Sequence, residues 1–113
     1  VVADSDAEAE RIARPALEHH LASLNWLRVR HNDTGLTSRA KIPTGATYEE
    51  LVRDGIAVIG TPETVARAIE RQVPDLGINY LVTYMFFGGM ALPEALRSLQ
   101  LFSTEVMPRI APL

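Results

Sequence analysis

A chain of 113 residues holds one core at most and, folding alone, buries roughly 60 to 70% of its unfolded surface. With 47% hydrophobic and 22% charged residues, a net charge of −3 and a pI near 5.5, it has the balance of a soluble globular protein, which argues against nucleic acid or an anionic membrane as partner. The absence of cysteine excludes disulfides, thiolate nucleophiles and the usual zinc sets, and agrees with a cytoplasmic location.

Residues 1–3 read as the tail of a strand, without the basic start and apolar core of a leader, and no stretch approaches the roughly 18 apolar residues of a membrane span. Ser5-Asp6-Ala7-Glu8 is a capping box that opens a helix. Ala9, Ile12, Ala13, Leu17, Leu21 and Leu24 then recur at helical spacing, which carries the helix to about Trp26 or Leu27. Pro15 lies beyond the first turn, where it removes a backbone donor at a cost of about 3 kcal/mol, so a kink or break near Arg14 is predicted. Residues 30–46 show neither helical nor strand period and concentrate turn formers and cations; they are predicted as a long loop, either a connector or a substrate-side segment. Thr47 caps a short helix over 48–53, with Glu49 and Glu50 in its first turn and Asp54-Gly55 as its stop.

The second half has the rhythm of strand, helix, strand. Residues 56–59 are all apolar, as in a parallel strand covered on both faces, and run into Gly60-Thr61-Pro62-Glu63. Gly60 permits a tight exit, Thr61 caps, Pro62 fits the first helical position and Glu63 complements the positive helix end. Val65, Ile69 and Val73 share one face, Pro74 ends the helix, and Gly77 supplies a left-handed cap. Residues 80–87 read as a second buried strand, which makes a βαβ unit and a parallel sheet. After Gly88-Gly89-Met90, a last helix over 93–107 turns Ala95, Leu96, Leu99, Phe102 and Val106 inward and ends at Pro108.

Taken in order, Gly60-Thr61-Pro62-Glu63-Thr64-Val65, Gly77-Ile78-Asn79-Tyr80-Leu81, Phe86-Phe87-Gly88-Gly89-Met90 and the run from Leu99 to Pro108 resemble the C-terminal end of the luciferase-like monooxygenases. The opening Val1-Val2-Ala3-Asp4-Ser5-Asp6-Ala7-Glu8-Ala9 is similar to a late strand and helix entry of that family. No single motif is specific; the ordered set with its spacing carries the resemblance. It implies an α/β fold, the last third of a (β/α)8 TIM barrel of about 300 or more residues. Residues 1–113 would form one segment: strand end and kinked helix over 1–29, loop over 30–46, and the final β/α units, with two or three short parallel strands, over 47–113. It further implies a flavin- or deazaflavin-dependent oxidoreductase using FMN or F420 on a small-molecule substrate.

In such barrels the chemistry sits on loops after the strand ends, which here selects Gly60, Thr61, Phe87, Gly88 and Gly89 as cofactor-binding candidates. Each also has a structural reading. Thr61 with Pro62 is a helix cap, Phe86 and Phe87 divide between core and rim, and Gly88 with Gly89 makes a turn rather than a nucleotide motif. No catalytic residue and no metal site is predicted. His19 and His20 point about 100° apart on a helix, and His31 stands in a loop without a matching partner. Arg39 and Lys41 would meet an anion only if their loop folded over a site.

Two readings follow. One is the C-terminal fragment of a luciferase-like oxidoreductase, inactive alone and binding no cofactor itself. The other is a non-catalytic domain that forms a homo-oligomer through exposed sheet edges or apolar faces.

Overall fold

The computed structural model describes residues 1–31, 42 and 45–111. The loop predicted over 30–46, with Arg39 and Lys41, falls mostly outside them. The elements are α1 (Asp6–Arg30), α2 (Tyr48–Arg53), α3 (Pro62–Leu76), α4 (Leu92–Leu101), a π-helical turn (Phe102–Val106) and α5 (Met107–Ile110). Among the described residues there is no β-strand, only one isolated parallel bridge between Val2 and Gly60. The predicted α/β class, the parallel strands, the βαβ unit and the partial TIM barrel are therefore overturned: this is a small helical domain.

The physical reason is a shortage of partners. A strand exists by virtue of the neighbours that take its backbone groups. Residues 1–3 find one neighbour, at the end of the predicted strand 56–59: Ala3 N donates to Gly60 O at 3.1 Å, and Gly60 N donates to Val1 O at 3.1 Å. Val1 N donates to Val58 O at 2.9 Å. The earlier part of 56–59 turns instead onto α2, where Ile56 N and Ala57 N both donate to Leu51 O. Among the described residues, the backbone of 78–86 makes no hydrogen bond to another backbone group.

Local chemistry sets the helix starts where expected, although the capping box predicted at Ser5 is only half formed, since the Glu8 carboxylate bonds Arg11 instead. Ser5 accepts from Glu8 N, Thr47 and Glu50 form a reciprocal capping box, and Thr61 accepts from Thr64 N with Pro62 at the first helical position. The prolines interrupt the helices less than a full break at each would require. Pro15 does not break α1, which runs unbroken for 25 residues with Ala13, Ala16 and Leu17 buried around it. Packing on both sides of the missing hydrogen bond holds the helix together. Pro74 lies inside α3, which ends at Leu76 on the left-handed Gly77 at φ 61°. Pro108 likewise opens the last turn, α5, rather than ending the helix before it.

The core has two parts, and the N-terminal segment lies between them. Val1 and Ala3 join Ala9, Ile12, Leu17, Leu21, Tyr48, Leu51 and Met90 around α1 and α2. Val2 joins Val65, Ala66, Ile69, Leu101 and Val106, where α3 packs on the π turn and α5. This alternation is that of an extended chain, whose successive side chains point to opposite sides. In α4 the inward residues are Ala95, Ser98 and Leu101, whereas Leu96 and Leu99, predicted inward, are exposed. The helix is rotated because the Ser98 hydroxyl, fully buried, accepts a hydrogen bond from Val2 N at 2.9 Å.

That bond gives a direct test. Ser98→Ala leaves the buried Val2 N–H without its acceptor, and urea denaturation is expected to register a loss of about 1 to 3 kcal/mol. A change below about 0.5 kcal/mol, the range of surface substitutions, would mean the hydroxyl does not hold the segment.

Candidate functional site

The five residues selected from the sequence fall into two places along α1. Gly60 and Thr61 stand at its start. Gly60 is buried at φ 152°, and a side chain there would meet Asp6 Oδ1 at 2.6 Å and Thr64 Cγ2 at 2.7 Å. Asp6 Oδ1 accepts from Thr61 N at 2.8 Å, and Thr61 Oγ1 accepts from Thr64 N at 3.2 Å. The hydroxyl also donates to, or accepts from, Thr64 Oγ1 at 3.0 Å. The helix starts of α1 and α3 thus lie side by side, each following a paired extended residue, and the Thr61 amide already has a carboxylate partner. Asp6 is the residue that sequence reasoning missed. Its place in the first turn signals a dipole partner, but its link to Thr61, 55 residues on, is tertiary.

Phe87, Gly88 and Gly89 lie against the middle of α1. Gly88 has φ 58°, and a side chain there would come within 2.0 Å of Ala16 O. Half-buried Phe87 packs on the α1 core and meets the His20 ring edge-on, with centroids 6.4 Å apart. Ala16 is ten residues beyond Asp6 on the same helix, so the two groups are separated by about 15 Å of helix rise. The fold does not gather them around one point.

Beside Gly89 an open depression of about 320 Å³ is lined by Arg11, Ile12, Pro15, His19, Met90 and Glu94, among others. This is at the small end of the roughly 300 to 1,000 Å³ that ligand pockets occupy. Its charged groups satisfy one another. Arg11 Nη2 donates to Glu8 Oε1 at 2.7 Å and to Glu94 Oε1 at 2.8 Å, and the hydrogen bonds to these carboxylates hold the guanidinium protonated. Glu8, in turn, is held below the usual carboxylate range by its hydrogen bonds with Arg11. With Arg11 committed to Glu8 and Glu94, His19 and the Gly89 backbone are the polar groups of the lining left to meet a bound molecule.

A second charged cluster ties α2 to α1. Arg14 bonds Glu10 at 2.7 Å and Glu49 at 2.6 Å while its guanidinium lies 4.1 Å from the Tyr48 ring centre. The Arg14 hydrogen bond lowers the Glu49 pKa, and burial raises that of Tyr48. At the far end of α1, buried Arg28 donates from Nη1 to Ile42 O at 2.9 Å. Among the described residues, no three His, Asp or Glu side chains stand close enough to hold a metal ion, and no helix is long and apolar enough to cross a membrane.

No protein-family model matches the chain, and no solved structure matches it. A curated relative, "Uncharacterized protein y4wF" of Sinorhizobium fredii, is 26% identical over 110 residues, covering 97% of this chain and 31% of the relative. The chain spans about a third of the length of that curated relative.

Proposed function

We propose that this chain is the C-terminal segment of a luciferase-like, flavin-dependent oxidoreductase, and that it contributes supporting and rim residues rather than the chemistry itself. The observation that carries the reading is the parallel pairing of residues 1–3 with the end of 56–60, each running straight into a capped helix. The ordered motifs of the sequence support the same reading. The length of the relative fits a protein in which some two thirds of the residues lie outside this segment.

In this reading FMN or F420 supplies the redox chemistry when bound, and most of its contacts come from elsewhere in the protein. Gly89 and the adjoining Arg11 and His19 would form part of a rim, while Gly60 and Thr61 hold two helix starts together. The absence of cysteine agrees with a reducing cytoplasm.

Fluorescence titration of FMN, reduced FMN and F420 against the full-length Sinorhizobium fredii relative and against the 113-residue chain tests this. The relative is expected to bind one of them saturably and the chain none. No binding by the relative would remove the family reading. Tight, saturable binding by the chain alone would make it a cofactor-binding module in its own right.

A further inference from the structure

The C-terminal helix changes its period partway along. Met107 N donates to Phe102 O, five residues back, where an α-helix would use Ser103 O, four back. Over Phe102–Val106 the chain thus winds one residue more than the α-helical count, and the α period resumes with Ala111 N donating to Met107 O. Such turns are rare and gather at functional positions, so the extra residue requires a cause.

The faces of the helix supply one. Leu101 and Val106 are both buried with Val65, Ala66 and Ile69, and Ile110 packs against the same group. Five residues of α-helix turn through about 500°, which would set Val106 about 140° away from Leu101. The residues four, seven and eight on from Leu101 would face the core instead, and these are Glu105, Pro108 and Arg109, all exposed here. An uninterrupted α-helix would therefore bring a carboxylate and a guanidinium to the core in place of valine and isoleucine, which is strongly unfavourable without partners. Letting one residue out of the count removes the conflict.

Two side chains stand where that residue is held. Ser103 Oγ and Thr104 Oγ1 both donate to Gln100 O at 2.9 Å, the carbonyl that an α-helix gives to the Thr104 N–H. Hydroxyls that bond back three or four residues compete with the backbone amides and weaken the α period locally. Ser103, Thr104 and Glu105 are all exposed, so the surplus lies on the side away from the core. The register also reaches α3: Arg109 pairs with Glu63 and, at 3.7 Å, with Glu70, and Glu63 lies in the first turn of α3 beside Thr61.

We propose that the π turn is a register device: it stores one residue in excess of the α-helical count, the Ser103 and Thr104 hydroxyls hold that residue in place, and the stored residue sets the rotation that seats Val106 and Ile110 in the core and Arg109 over the start of α3. The device is a slip point, because taking the stored residue out leaves a continuous helix with the same faces. Without Thr104, Val106 and Ile110 stand four and eight residues beyond Leu101, on one α-helical face with it. This inference is independent of the flavin reading, since it concerns only the winding of one helix.

In the 113-residue chain, the NMR scalar coupling carried across the hydrogen bond of the Met107 amide should reach the Phe102 carbonyl. Deleting Thr104 should leave the same two residues bonded, now four apart, and shift the urea midpoint by no more than about 0.3 M. Deleting exposed Leu96, where α4 stores no extra residue, should lower the midpoint by about 1 M or more, because it turns Ala95 away from the face of Ser98 and Leu101. Ser103→Ala combined with Thr104→Ala should speed amide exchange at Met107 about tenfold or more, whereas Ser103→Ala in the Thr104-deleted chain should leave it unchanged. A coupling from Met107 to the Ser103 carbonyl in the unmodified chain would overturn the proposal at once. A Thr104 deletion as damaging as the Leu96 deletion would show that no residue is stored, and unchanged exchange in the doubly substituted chain would show that the hydroxyls do not hold it.

Discussion

Gly88→Ala is expected to destabilise the chain by about 2 to 5 kcal/mol and to free the 87–90 turn from α1. Two costs combine. At φ 58° a β-carbon costs roughly 1 to 2 kcal/mol against the following carbonyl. It would also sit 2.0 Å from Ala16 O and 2.7 Å from Ala16 C, atoms of a helix backbone that cannot rotate away as a side chain does. Overpacking of this kind costs typically a further 1 to 3 kcal/mol. Two neighbouring substitutions separate the terms. Gly77 has φ 61° with no atom within 4 Å of the added carbon, so Gly77→Ala should show the conformational cost alone. Gly89 has neither constraint, and Gly89→Ala should be nearly silent. Urea midpoints in the order Gly89→Ala, Gly77→Ala, Gly88→Ala, from most to least stable, are the expected result; equal midpoints for Gly88→Ala and Gly77→Ala would show that the turn does not press on α1.

Leu51→Ala should cost about 2 to 5 kcal/mol, the range of buried leucine truncations. Leu51 is 2% exposed, among the most buried large side chains of the molecule, and α2 has only six residues. A helix that short has no stability of its own in water and persists only through what it buries. Its other anchor is Tyr48, held between the α1 core and the Arg14 guanidinium. The carbonyl of Leu51 also receives Ile56 N and Ala57 N, which steers the chain toward Val58 and its bond with Val1. Loss of the leucine is therefore expected to loosen α2 and the N-terminal pairing together. The paired observation is Val52→Ala, whose side chain is exposed and whose change should stay below about 1 kcal/mol by the same denaturation assay. Equal effects at positions 51 and 52 would show that α2 does not dock through this face.

The helix starts were legible because the chemistry that sets them is local. Ser5, Thr47 and Thr61 cap amides three residues away, and Gly77 accepts the left-handed conformation that ends α3. The apolar stripe of α1 and the Val65–Ile69 face were legible for the same reason, since period and residue type lie within a few turns. The candidate residues were partly legible: Thr61 is a cap, as its neighbours Gly60 and Pro62 indicate, and Gly88 does require positive φ.

The strands, the rotation of α4 and the separation of the candidate residues were settled by tertiary structure. An apolar run such as 80–87 reads as a buried strand in sequence because hydrophobicity reports what a segment can bury, not whether a partner stands beside it. Here residues 1–3 meet a partner at Gly60 and 80–86 meet none among the described residues, so one forms a bridge and the other lies open. In α4, leucines and serine compete for the core by their surroundings. A serine enters because a buried N–H needs an acceptor, and Leu96 and Leu99 turn outward in consequence. Caps, turns and periods are decided within a few residues of themselves; pairing and facing depend on groups distant in the chain, and only the folded arrangement brings those together.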